Sequence, residues 1–356
     1  MPPPTSRLPL IDALKGVACL MIVWHHLAFY GPMSDIAHPL APGLIDWLYE
    51  HGRMAVQVFL VVGGFLAASS LAPTGMPQFD HPGRHILRRY RRLVLPYLVA
   101  LAFCVLVSAL VRSWLNHPSV PDAPTLSQLL SHVLLLQDLL GQEALSAGVW
   151  YVAMDFQLFA LTVALFSAVR AVERRWPGHA AQLPSVGLVL GLAALSLLVF
   201  NRHPALDVTA LYFMASYGLG LLAFWAARSS RPGPSLAGIA VLGALALALD
   251  FRERIAVALA TALLLGWAHS SEAVRRWQPS AWLLKLGQMS YSIFLIHFPV
   301  CLLVNAVVSH LWPTQPLVNA AGMALAFGLS LRAGRLLYQG VEARLAALRP
   351  ARRLAG

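Results

Sequence analysis

Apolar residues fall into ten runs, at 10–30, 54–71, 94–111, 150–169, 184–200, 208–226, 235–250, 255–268, 283–310 and 316–338, divided by polar, proline or glycine breakers. A helix needs about 20 mostly apolar residues to cross the hydrocarbon core. The pattern therefore predicts an all-α fold, a polytopic integral-membrane helical bundle of ten spans with both termini cytoplasmic. The seventh and eighth runs are brief for a crossing, and only the segment 251–254 divides them. A further run, 126–140, carries His132, Gln137 and Asp138 and reads as an interfacial helix. Loops are short apart from 31–53 and 112–149, and no soluble domain, repeat or heptad run is visible. Residues 1–356 thus read as a single membrane-embedded domain, whose chemistry lies within or beside the bilayer.

Polar residues break the pattern at four places. The first run holds Asp12, Lys15, His25 and His26. Asp or Lys near the centre of a span costs about 2.5–3.5 kcal/mol, so such residues mark functional sites by default. Lys15 and His26 are eleven residues apart, which at about 100° per residue puts them on one helix face, roughly 16 Å apart along the axis. His25 is turned about 100° away, so His26 is favoured as the reacting base. The competing reading places both histidines at the outer surface, in an aromatic belt with Trp24 and Tyr30.

Asp155 lies five residues after Trp150, in the outer third of the fourth run if that run descends from outside, at about the depth of His26. A carboxylate there would fix the tautomer of a nearby histidine; alternatively it pairs structurally with an arginine. Arg84, Arg88, Arg89, Arg91 and Arg92 precede Pro96. They read as a topology anchor touching anionic lipid, or as forks for phosphate groups. The ninth run carries Ser290, Tyr291 and Ser292, with His297 deeper, as a packing residue or a cavity lining. The Gly63–Gly64 pair permits close helix packing, or leaves a ligand room near the backbone.

Composition narrows the class. The chain is 58% hydrophobic and only 12% charged, with a mean hydropathy of +0.66, far from the roughly 25% charged residues of soluble domains. Its net charge of +11 does not signal nucleic acid. Arg7, the 84–92 cluster, Arg170, Arg174, Arg175, Arg228, Arg231, Arg275, Arg276, Lys285 and the C-terminal cluster through Arg353 all fall on one side, as the positive-inside rule expects. The first run lacks a basic n-region and a cleavage site, so it reads as an uncleaved span. Cys19, Cys104 and Cys301 lie in apolar runs and read as packing residues, with no metal or disulfide expected. There is no P-loop and no nucleophile elbow.

Taken in order, these segments resemble the acyltransferase-3 family of integral-membrane O-acyltransferases over nearly the whole chain. IDALKGVACLMIVWHH is similar to its opening motif, a basic residue and a histidine ten intervening residues later, here Lys15 and His26. VQVFLVVGGFLAA resembles its phenylalanine-rich second span, RRYRRLVLPY its basic motif before a proline, WYVAMD its Trp-led acidic motif, and MSYSIFLIHFPV its late Ser-Tyr and Leu-x-His motif. Lys15, Asp155 and Gly63 stand where the family often has Arg, Glu and Ser.

The resemblance implies transfer of an acyl group, most often acetyl, from cytoplasmic acyl-CoA to a sugar hydroxyl on a cell-envelope or secreted glycan, in a bacterial inner membrane. Arg88, Arg89, Arg91 and Arg92 would then hold the CoA phosphates. Asp12, His25, Trp150, Ser290, Tyr291 and His297 would line a channel rising along the Lys15 face to His26 and Asp155. His26 would deprotonate the acceptor or carry the acyl group as an acyl-imidazole. The alternative is a transporter or flippase for a lipid-linked sugar or acyl donor, with His and Asp as proton relays.

Overall fold

The computed structural model describes residues 8–176 and 183–347. Its helices are α1 Pro9–Phe29, α2 Met33–Ala37, α3 Pro42–His51, α4 Val56–Leu71, α5 Pro82–Val111, α6 Leu126–Val133, α7 Val149–Arg175, α8 Leu183–Leu198, α9 Ala210–Arg228, α10 Pro232–Leu249, α11 Glu253–Ser270, α12 Glu272–Arg276, α13 Ala281–Leu311, α14 Pro316–Leu337 and α15 Ala343–Ala347. A π turn, Tyr338–Glu342, joins the last two. No strand occurs among the described residues. The chain is a polytopic helical membrane protein.

Nine helical stretches among the described residues are long and apolar enough to cross a membrane, against the ten expected. The run 255–268 does form a helix, α11, equal in length to α10 at 18 residues. It opens on Glu253 and Arg254 and closes on His269 and Ser270, and these polar ends dilute its apolar centre. Two other boundaries also move. The arginine cluster does not precede the helix of the third span but lies on that helix's first turns, because α5 begins at Pro82 and runs for 30 residues. The segment 126–140 is helical only to Val133, after a Thr125–Gln128 capping box. Leu135 then takes a left-handed φ of 57°, a conformation that costs an L-residue about 1–2 kcal/mol and ends the helix. Arg7, Arg349, Arg352 and Arg353 lie outside the described residues.

By internal packing the chain divides into two interleaved units, 1–18, 54–89 and 151–288, and 19–53, 90–150 and 289–356. In the first, α9 is the hub. It packs against α4, α8, α10 and α11, and every residue from Tyr212 to Ala227 is buried. Glycines permit its contact with α4: a Cβ on Gly64 would stand 1.9 Å from the Tyr217 carbonyl oxygen, and one on Gly220 2.0 Å from that of Val61. Ser216 Oγ donates to Gln57 Oε1 at 2.6 Å across the same interface.

In the second unit, Cys104, Val107 and Val111 of α5 pack with Ala147 and with Phe298, Leu302 and Ala306 of α13. Asn305 fastens the chain as it leaves α1. Its Oδ1 accepts from the Met33 N–H at 3.0 Å, and its Nδ2 donates to the Tyr30 carbonyl at 3.2 Å. The entry to α7 depends on Gly148, whose φ is 75° and whose added Cβ would lie 2.7 Å from the Phe294 ring.

Candidate active site

His26 sits near the end of α1 with its ring buried. Its Nδ1 lies 2.6 Å from Nε2 of His297 on α13, and the two ring planes differ by only 3°. The second nitrogen of His297, Nδ1, lies 2.7 Å from the Phe294 carbonyl oxygen. That contact fixes the protons. A carbonyl oxygen only accepts, so His297 Nδ1 carries its N–H. A neutral imidazole has one N–H, so His297 Nε2 is an acceptor and His26 Nδ1 donates to it. The lone pair of His26 is therefore at Nε2, the nitrogen turned away from the pair.

His25 is engaged elsewhere. Its Nδ1–H donates to the Leu48 carbonyl at 2.9 Å, pinning α1 to α3, and a Cβ on Gly52 would lie 2.7 Å from the His25 Cβ. Lower on α1, Lys15 Nζ is 3.6 Å from Asp12 Oδ1, one turn away.

The carboxylate expected to orient His26 has another partner. Asp155, nearly fully buried, receives both contacts of Arg89 Nη2, at 2.7 Å to Oδ1 and 2.5 Å to Oδ2. The Arg89 guanidinium also lies over the Phe159 ring, 5.4 Å from its centroid. Gly63 leaves room for the carboxylate, since a Cβ there would sit 3.3 Å from Asp155 Oδ1. Two expectations change as a result. Asp155 and Arg89, expected at opposite depths of the bilayer, meet at one level. Arg89, grouped with its neighbours as a phosphate ligand, is turned inward as a structural counter-ion. Helical phase carries the signal for this: at about 100° per residue, Arg84, Arg88, Arg91 and Arg92 fall within an arc of roughly 100°, and Arg89 falls outside it. Those four are exposed, and Arg89 is not.

The polar residues of α13 serve several junctions. The Ser290 carbonyl accepts from Cys19 Sγ at 3.4 Å, Tyr291 Oη donates to the Leu93 carbonyl at 2.8 Å, and Ser292 Oγ donates to Glu342 Oε2 at 2.7 Å. Three of the four candidates on this helix thus hold α1, α5 and the π turn in register, while His297 reaches His26. Trp150 is the second residue of α7, two after Gly148. Sequence reasoning placed His297 in a channel lining and missed its pairing, as well as Glu342. Nothing local to either histidine links residues 271 apart.

The site is thus a buried imidazole oriented by a second one, within a polytopic helical bundle. The model of the acyltransferase domain of the acyltransferase-3 family matches residues 8–334, and the chain belongs to that family. Among curated proteins it is similar to the acyltransferase MdmB of Streptomyces mycarofaciens, 25% identical over 377 aligned residues that cover 96% of this chain and 92% of that one. It is also similar to the regulator of hypoxia-inducible factor 1 of Caenorhabditis elegans, 24% identical over 184 residues, which are 48% of this chain and 36% of that protein. No solved structure matches. The protein is an integral-membrane acyltransferase.

Proposed function

We propose that this acyltransferase moves an acyl group, most simply acetyl, from cytoplasmic acyl-CoA to a hydroxyl of a cell-envelope or secreted carbohydrate, in a bacterial inner membrane. One observation carries the reading: the His297 pairing leaves the basic lone pair at His26 Nε2. In direct transfer, Nε2 takes the hydroxyl proton as the acceptor oxygen attacks the thioester carbonyl. The C–S bond breaks, the thiolate of CoA departs, and the imidazolium returns the proton to it. In the two-step form Nε2 attacks the thioester carbonyl, the C–S bond breaks and the CoA thiolate departs; the hydroxyl oxygen then attacks the acyl-imidazole, the C–N bond breaks, Nε2 is freed and the hydroxyl proton passes to the thiolate. Both routes need the same nitrogen.

Arg88, Arg91 and Arg92, exposed on α5, are the residues we assign to the donor phosphates, because guanidinium forks match phosphate oxygens. Lys15 shares the helix face of His26 and supplies a cation along the donor's path. Asp155 acts through Arg89 as a positioning residue. The family assignment favours this reading over a transporter. Purified enzyme in liposomes, given labelled acetyl-CoA and envelope glycans, should label the carbohydrate, and His26→Ala should abolish labelling while the protein still inserts. A fully active His26→Ala variant would falsify the assignment of the base. Labelled substrate that accumulates in the vesicles without covalent label would favour transport.

A further inference from the structure

The acyl-transfer reading leaves the last turns of α14 unused. Along this helix Leu325, Leu329 and Leu336 are exposed, whereas Ala326, Ser330 and Leu337 are buried, so one apolar face looks outward. Arg332 and Arg335 interrupt that face near the helix end. With Leu336 and Gln339 they line a groove of about 490 Å3. Neither guanidinium has a hydrogen-bond or ion-pair partner among the described residues. The groove is anchored by the π turn Tyr338–Glu342, because Glu342 accepts from Ser292.

Residues three and four apart on a helix are neighbours, with about 5–6 Å between Cβ atoms. Arg332 and Arg335 therefore present two forks to one site, a spacing suited to the oxygens of a phosphate diester. The Gln339 amide adds a donor on the same face. Phosphate could reach such a site on a lipid or on a soluble donor, and the exposed leucines decide between them: Leu325 and Leu329 continue the face toward the centre of the span, where acyl chains lie. We propose that this groove binds an anionic phospholipid, its phosphate on Arg332 and Arg335 and its chains along Leu329 and Leu325. The site is separate from the acyl-donor residues, and the proposal does not depend on the reaction assigned to them.

The test uses the full-length protein in nanodiscs of phosphatidylcholine with a minor fraction of phosphatidylglycerol, and native mass spectrometry to count retained lipid. The charge-removing double variant R332Q/R335Q should lower phosphatidylglycerol retention about fivefold per arginine, about 25-fold in all. Phosphatidylcholine retention and acyl transfer in pure phosphatidylcholine should not change. R332K/R335K keeps both charges and should retain most of the phosphatidylglycerol, which controls for a folding defect in the first variant. Unchanged phosphatidylglycerol retention in R332Q/R335Q overturns the proposal, as does equal loss in R332K/R335K. A variant that loses acetyl-CoA binding while keeping its phosphatidylglycerol also overturns it, and makes the groove a site for a soluble phosphate.

Discussion

At the scale of single residues, the imidazole pair assigns different tasks to two chemically identical side chains. In the proposed reaction His26 works through Nε2, while His297 uses both nitrogens to hold the ring in place. Removing the holder should therefore slow turnover without much effect on substrate binding. His297→Ala is expected to lower kcat by about 10²-fold, the scale on which positioned proton transfer contributes, with little change in KM. His297→Gln places an amide oxygen where it can accept from His26 Nδ1–H, and should recover part of the loss. Equal loss in both variants would show that the ring does something other than orient. The Arg89–Asp155 pair makes a second prediction. Deleting one member of a buried pair strands the other, at a cost of about 3 kcal/mol. Asp155→Ala should lower the thermal midpoint in detergent, and the apolar double replacement R89M/D155L should recover most of it. A double variant no more stable than the single one would mean that the pair is not the cause.

At the scale of elements, the chain shows how an apolar run can stop being a helix. Residues 126–140 read as one segment, yet only the capped first half is helical, and a histidine in that half ties it to the chain beyond, at Leu145. His132 Nδ1–H donates to the Gln128 carbonyl at 2.7 Å, and its Nε2 accepts from the Leu145 N–H at 3.1 Å. Only the neutral ring can do both. Burial pushes His132 below its ordinary value of 6.5, and the Gln128 carbonyl opposes this more weakly. The folded state thus binds fewer protons here than the unfolded chain. The clamp's contribution is full above about pH 6.5 and is lost as pH falls through the folded value. Limited proteolysis of 134–148 should accelerate as pH falls below about 6.5, and in His132→Gln this pH dependence should be absent. The helices themselves were legible in the sequence because membrane spans announce themselves by apolarity. The pairing of His26 with His297, and of Asp155 with Arg89, was not, because apolar helices of similar length carry little information about which neighbours they choose. For Arg89 the helical phase does carry a signal, since it falls outside the arc shared by Arg84, Arg88, Arg91 and Arg92.

At the scale of the whole molecule, the placement of α10 and α11 sets the parity of the fold. Both have 18 residues, about 27 Å at 1.5 Å per residue, close to the roughly 30 Å hydrocarbon core. If each crosses, cysteines introduced at Phe251 and at Gln278 should react with impermeant maleimide from opposite faces of inverted and right-side-out vesicles. Labelling of both from one face would leave α11 as a surface helix and return an odd number of crossings. The ion pair on α5 and α7 has a further consequence, for biogenesis. Arg89 leaves the ribosome 66 residues ahead of Asp155, an interval of about 3–13 s at cellular rates of synthesis. Through that interval the guanidinium has no carboxylate to neutralise it. The first turns of α5 should therefore wait at the membrane surface or within the translocon until α7 arrives, so that the two helices enter the lipid as a matched pair.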